Sequence, residues 1–539
     1  MPADFYDAVV IGAGPNGLVA ANKLVDAGWS VLLIEEQPVP GGAVRSGELI
    51  EPGFINDQFS AFYPLAKASP AIGGLRLEDH GLRWLRGDVA VAHPRADGTV
   101  SFVHQDIATT AANLDSFAAG DGDSWRDLYA QWERLGDALL GMLFAPLPAA
   151  GALAKILRKA KPAELLQLGK VATSGARQQT NDWFNGDGAR RLLAGNALHA
   201  DLAPNEPPSA VYGWVLMCLA QSVGYPVPEG GAGKLSRAMA DRFESRGGTI
   251  LLNTQVTGIR LNRGIAEGVE FSGGSVTARK AVLADVGAPQ LYLDLIGADH
   301  LPASVVRNIN EFTYDDATVK IDWTLDAPIP WANEDVRRSG TVHVAEGIDA
   351  LDKQASEITR GLVPETPYLV MGQYAQVDPS RAPEGKDTAW AYTHVPQEVR
   401  GDAASQLAGD WCESDRERMT ERVEAEVEKL APGFRDLIRG RHVMLPPDFA
   451  GFNRNLVNGA VNGGTSSVRQ QLVFRPIPGV GRSETPFKRL FLASASAHPG
   501  GGVHGAVGAN AARAAIAADA KRPGALIAGT LARRLAGTR

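Results

Sequence analysis

The chain has 539 residues, 45% hydrophobic and 21% charged, with a net charge of −8. That composition belongs to a soluble globular protein and excludes a disordered, collagen-like or multi-span membrane chain; the acidic balance argues against a nucleic-acid partner. Two distant cysteines, Cys218 and Cys412, exclude a disulfide scaffold, a Cys-rich zinc site and a CxxC pair. The histidines show no HxxxH or HExxH spacing, so no metal site is expected.

No basic segment followed by a long apolar stretch precedes the first strand, so no secretory signal is expected. Residues 7–35 read as strand, tight turn, helix and strand, a βαβ unit. The turn is Gly12-Ala13-Gly14-Pro15-Asn16-Gly17, a GxGxxG placed after an apolar strand and opening a helix. Gly12 allows the turn, Gly14 lets backbone approach a pyrophosphate and Gly17 lets helix and strand pack closely. N–H groups at the helix start, from Asn16 onward, favour phosphate, with Pro15, which has no N–H, fixing the first helical position. Glu35 ends the second strand, where an acid accepts hydrogen bonds from a ribose 2′-OH. Gly41 and Gly42, followed by Arg45, offer a second backbone contact and a cation near the pyrophosphate. With no second GxGxxG after a strand, one permanently bound dinucleotide is the simpler reading, and FAD fits it best.

Residues 82–104 alternate like strands, with a turn near Asp97-Gly98, and residues 105–220 are mainly helical in pattern. The longest uncharged run, 138–154, is broken by Pro146 and Pro148 and is shorter than the ~20 residues of a bilayer span. A cytoplasmic protein without a transmembrane helix is expected. Apolar and basic residues alternate at helical spacing through 155–170. Two readings stand: helices packed on the core with lysines outward, or helices on a membrane surface or against a lipophilic substrate. Residues 230–236, GGAGKLS, look like a phosphate loop, but Leu235 stands where a magnesium-binding Ser or Thr belongs, so a turn opening the 232–246 helix is expected. A strand over 249–261 and a hairpin-like pair ending at 285 follow. Residues 301–400 mix strands and helices, 415–430 is a charged helix, and 440–480 is loops and strands. The chain closes with a strand over 489–493, the turn His498-Pro499-Gly500-Gly501-Gly502-Val503-His504-Gly505, and an Ala-rich helix. Gly501, Gly502 and Val503 let a flat ligand lie on bare backbone, and the helix's positive end stabilises negative charge on a reduced flavin.

Two segments near the ends of the sequence, residues 7–46 and 490–515, resemble those of the phytoene desaturase-like FAD-dependent oxidoreductases, within the amine oxidase-type flavoproteins. The branch closest in pattern holds the carotenoid ketolase-like and pyridine nucleotide-disulphide oxidoreductase domain protein 2-like proteins. The segment HPGGGVHGAVGANAA, 498–512, is its most specific mark. The resemblance implies noncovalent FAD, lipophilic isoprenoid substrates at membranes, and an adenine contact from the backbone of Val256. The absence of CxxC speaks against disulphide chemistry.

The fold class expected is α/β: a discontinuous, Rossmann-like FAD-binding domain of the GR2 type with an inserted α+β substrate domain. The flavin domain is assigned 1–104, 232–300 and 441–539, and the substrate domain 105–231 (helical, membrane-facing in one reading) and 301–440. The cofactor carries the hard step of a flavin dehydrogenation. His498 and His504 are the best-placed side chains for proton transfer, although each could instead only bond a backbone carbonyl. Tyr63 is a candidate for the substrate side, and Asp448 and Arg469 are candidate polar contacts. The reading is an FAD-dependent oxidoreductase that desaturates a lipophilic isoprenoid- or polyene-like substrate by hydride transfer to flavin N5, with oxygen or a quinone as electron acceptor. The alternatives are a ketolase or oxygenase, an amine oxidase, or a non-catalytic flavin-stabilised partner-binding protein. Nothing in the sequence reads the oligomeric state.

Overall fold

The strand Phe5–Ile11 is the centre from which the structure, a computed structural model, is built. The structure describes residues 3–478, 480 and 482–521; the last part of the segment expected over 441–539 lies outside them. Phe5–Ile11 pairs in parallel with Val31–Ile34 on one side and with Gly274–Ala284 on the other. Thr249–Leu251 extends the sheet beyond Val31–Ile34, and Leu490–Leu492 pairs in parallel with Gly274–Ala284. The antiparallel strands Val256–Asn262 and Ile265–Phe271 complete seven strands. The stretch expected as one strand over 249–261 is two, because Asn253 between them adopts φ 53°. All four residues of Val31–Ile34 are buried, as expected of a parallel strand covered on both faces.

The first helix, Pro15–Asp26, has proline at its first turn and Gly14 as N-cap, a position where the missing N–H of proline costs nothing. It packs against Gly233–Ser245 and the last helix, Ala506–Ala520. The second contact needs glycine: a Cβ on Gly508 would lie 1.9 Å from the Asn16 carbonyl oxygen. Segments from the first and last parts of the described chain therefore meet, and the Rossmann-like fold is discontinuous, as expected. Residues 230–236 are a turn opening the helix Gly233–Ser245, with Gly231 at φ 111°.

A second seven-stranded sheet runs Ile438–Met444, Ala317–Leu325, Asp387–Val395, Leu369–Gln373, Ser339–Val344, Val89–Pro94, Val100–His104. It is antiparallel apart from the parallel pair Ser339–Val344 with Val89–Pro94. Residues 89–104, expected with the first segment, hydrogen-bond into this sheet, and the expected cut at 440 falls inside Ile438–Met444. Alternation identifies a strand but not the sheet that takes it. Seven helices between Ile107 and Ser222 include the long Asp121–Phe144 and the well-buried Asp187–His199 and Ser209–Ser222.

Candidate active site

Between the two sheets lies a cavity of about 1160 Å³, larger than the ~300–1,000 Å³ usual for one small ligand. One end is bordered by Gly12, Gly14, Pro15, Asn16, Glu35 and Gly42. Thr254, Gln255 and Val256 also border it, as do Ser494, Gly501, Gly502 and Val503. The remainder is walled by Phe59, Phe62, Tyr63, Phe144, Trp390 and Tyr392 among others.

The glycines at the first end are imposed by contact. A Cβ on Gly14 would sit 2.7 Å from Asp285 Oδ2, and one on Gly12 2.7 Å from the Asp285 carbonyl oxygen. Gly17 does not border the cavity; a Cβ there would meet the Gly12 carbonyl at 2.1 Å, so it serves the tight turn, as its place in the motif implies. Gly41 is likewise behind the wall, donating to the Ala13 carbonyl at 2.8 Å, while Gly42 brings its backbone against Gly14. Glu35 is 7% exposed and accepts from the Ala13 N–H at 2.7 Å and the Gln37 N–H at 2.9 Å. Burial pushes its pKa up, and those two N–H groups pull it back. Arg45 does not border the cavity. Its Nη2 donates to the Phe452 carbonyl at 3.0 Å and its guanidinium lies over the Phe59 ring; burial lowers its pKa.

At the glycine turn the two histidines differ. Ala506 N–H donates to His504 Nδ1 at 3.1 Å, which assigns the proton to Nε2, and Nε2 lies 3.2 Å from the Gly501 carbonyl. Both nitrogens are thus committed to backbone, so His504 holds the turn and starts the last helix; a proton-accepting role has no free atom to use. His498 borders the cavity and neither ring nitrogen makes a well-aligned hydrogen bond. Burial lowers the pKa of each to about 4, so both are neutral near pH 7.

Several residues that the sequence reading passed over belong to the site. Asp285 follows the strand Gly274–Ala284, and its Oδ2 accepts the Gly17 N–H at 2.8 Å at the start of the first helix. Burial raises its pKa to about 7. Lys320 borders the cavity with Nζ bonded to Asp322 at 2.5 Å and to the Asp57 carbonyl at 3.0 Å. His199 and Asp201 also border it. His394 Nε2 lies 2.5 Å from Asp201 Oδ1, and Asn462 Nδ2 donates to Asp201 Oδ2. Burial opposes charge on His394, yet Asp201 lifts its pKa to about 9. Tyr63 borders the cavity, with its hydroxyl on the Ser60 carbonyl at 2.6 Å. Asp448 and Arg469 do not; Asp448 pairs with Arg416 at 2.9 Å. Elsewhere, Asp410, Cys412 and Asp415 bring ligand atoms within 4.8 Å of one another, but Asp415 already accepts the N–H groups of Ala408, Gly409 and Trp411.

The residues fit FAD by their own geometry. Gly12, Gly14, Gly42, Gly501 and Gly502 present bare backbone along one cavity. Asn16 Oδ1 is buried at the helix start without a partner among the described residues, and the Glu35 carboxylate borders the same cavity. A Rossmann-like sheet with this site defines a flavin-dependent oxidoreductase. The chain belongs to the flavin-containing amine oxidoreductase family, whose profile matches residues 16–516, and FAD is its cofactor. It is 28% identical to the pyridine nucleotide-disulfide oxidoreductase domain-containing protein 2 of Rattus norvegicus, over 94% of this chain and 92% of that one. It is 25% identical to a neurosporene-forming phytoene desaturase of Cereibacter sphaeroides, over 97% and 96%. Among solved structures, an oxidoreductase from Methanosarcina mazei superposes with a TM-score of 0.61 at 16% identity, covering 95% of this chain and 99% of that one, which speaks for the fold.

Proposed function

We propose that the protein dehydrogenates a lipophilic isoprenoid- or polyene-like substrate, creating a carbon–carbon double bond. The observation that carries this reading is the single cavity, running from the glycine fingerprint into a chamber walled by aromatic and aliphatic side chains. Similarity to phytoene desaturase supports it. Bound FAD supplies the hydride acceptor. In this reading Gly12, Gly14 and Gly42 let backbone reach the pyrophosphate, Glu35 receives the ribose hydroxyls and Val256 meets the adenine. Arg45 acts from behind the wall, bound to the Phe452 carbonyl. Gly501, Gly502 and Val503 carry the flavin ring, held by His504. His498, neutral and bordering the cavity, takes the proton that leaves the carbon next to the one losing hydride. Phe59, Phe62 and Trp390 align an extended chain and exclude water.

The helices Ala150–Lys159 and Pro162–Ala172 serve as a membrane-facing surface. Each buries one residue, Ile156 and Val171, while Leu153, Leu157 and Leu166 are 49%, 55% and 78% exposed. Leu153 and Leu157 share one helix face, flanked by Lys155, Arg158 and Lys159, a pattern suited to an anionic bilayer. Leu143, Phe144 and Ala172 at the borders of this stretch line the cavity, so substrate would pass between lipid and site. The flavin unit and the inserted unit divide the work, cofactor on one sheet and substrate between the two, with oxygen or a quinone reoxidising the flavin.

The test is the mass of the product formed from a C40 polyene. Loss of two hydrogens supports desaturation; gain of oxygen assigns a ketolase, and peroxide with aldehyde from an amine assigns an amine oxidase.

A further inference from the structure

Arg475 is fully buried, and the five hydrogen bonds of its guanidinium all go to neutral backbone carbonyls. Nε donates to Ala495 at 2.9 Å, Nη1 to Thr465 at 2.8 Å, and Nη2 to Ala495, Asn462 and Gly464 at 2.8, 3.0 and 3.2 Å. Among the described residues it makes no ion pair, whereas the buried Arg381 and Arg422 meet Asp57 and Asp402 directly. A buried charge without a counter-ion is costly, and carbonyl dipoles offset that cost only in part.

Its position gives the charge a use. A Cβ on Gly500 would lie 3.2 Å from Arg475 Cζ and from Nε, so the guanidinium lies directly against the glycine turn. Ala495, its principal acceptor, borders the cavity, as do Gly501 and Gly502. The nearby charge of opposite sign is Asp315, which accepts the N–H groups of Val461, Asn462 and Gly464 at 2.7, 2.8 and 3.1 Å. The loop 461–465 is thus held between a cation on its carbonyls and an anion on its N–H groups. The histidines of the turn are no source of positive charge: His498 and His504 are kept neutral by burial, with Arg475 acting in the same direction. Burial brings Arg475 itself down only to about 10, so it is charged at neutral pH.

We propose that Arg475 is a fixed cation that stabilises the negative charge the flavin ring gains on accepting a hydride, and so raises the reduction potential of the bound FAD. Hydride uptake adds two electrons and one proton at N5, leaving one net negative charge on the ring. The guanidinium, with the N-terminus of Ala506–Ala520, offers a compensating field from within a low-dielectric interior. The inference rests on the flavin ring lying on the 500–503 turn.

The experiment measures, on FAD-loaded protein at about pH 8, the flavin reduction equilibrium against a redox dye and the affinity for sulfite, which adds to electron-poor flavin. Arg475→Met is expected to shift the equilibrium at least tenfold toward oxidised flavin, about 30 mV for a two-electron couple, and to weaken sulfite binding at least tenfold. Arg475→Lys retains most of both. Asp315→Asn, which removes the opposing charge, shifts both the other way and decides by sign should Arg475→Met not fold. Equilibria within threefold of the parent in Arg475→Met, or no shift of opposite sign in Asp315→Asn, overturn the proposal. Photolabelling with 8-azido-FAD reads the placement separately: label outside 498–505 would overturn the position of the ring and the inference with it.

Discussion

At Gly14 no side chain can be accommodated, since a Cβ would press on Asp285 Oδ2 at 2.7 Å. Asp285 cannot retreat, because that oxygen holds the Gly17 N–H and its backbone N–H bonds the Ile11 carbonyl. Gly14→Val is therefore expected to yield folded protein without flavin, read as flavin absorbance per chain after gel filtration; full flavin content would contradict the account. The fingerprint was legible in the sequence because its constraint is local: three glycines, a strand before and a helix after. Asp285, 268 residues from the N–H it accepts, was not, although an acid ending an apolar strand was a usable signal at the strand edge where ligands bind. His504 was found for its position, and bonding a backbone carbonyl was one of the two roles open to it in the sequence. Its pKa falls from 6.5 to about 4 on folding, so below about pH 6.5 the unfolded chain takes up a proton that the folded chain refuses. Stability is lost as pH falls through that window, on the order of 3 kcal/mol in full. In His504→Asn, which keeps an acceptor for Ala506 N–H, the fall in Tm between about pH 7 and pH 5 is expected to shrink; an unchanged fall would remove His504 from the titration.

The elements of the flavin half announced themselves by period and punctuation: Phe5–Ile11, Pro15–Asp26 and Val31–Ile34 lie within a residue or two of their expected places. The strands Val89–Pro94 and Val100–His104 were readable as strands but not as members of the second sheet, since Ser339–Val344, which joins Val89–Pro94 to that sheet, lies more than two hundred residues on. Arg475 escaped notice for a similar reason: its carbonyl acceptors come from 462–465 and 495, and no side-chain pattern marks them. The helices Ala150–Lys159 and Pro162–Ala172 left two readings open in the sequence; their shallow packing, one buried residue apiece, favours the membrane-facing one. Replacing Leu153, Leu157 and Leu166 together by serine is expected to cut co-sedimentation with anionic vesicles at least tenfold while leaving flavin content unchanged, because these side chains contribute apolar area to the bilayer and little to the core. Equal sedimentation of parent and variant would return the helices to an ordinary surface.

Across the molecule, two sheets come together around one cavity, and the segments 5–34 and 490–520 both build the cofactor half. The geometry explains why the glycine clusters at 12–17, 41–42 and 500–505 occur at such distant positions: they line or brace a single site. It also explains why substrate identity was not legible, since the chamber is assembled from Phe59, Leu143, Tyr212, Trp390 and Phe449, each from a different segment. No described helix is long and apolar enough to cross a membrane. The central claim is that cofactor and apolar chamber act on each other directly. Anaerobic mixing of FAD-loaded protein with a C40 polyene in vesicles tests it. The account predicts that the flavin bleaches without oxygen and that one double bond forms for each flavin reduced. Product formation only when oxygen is admitted, or flavin that stays oxidised with every polyene and is bleached by an amine instead, would contradict it.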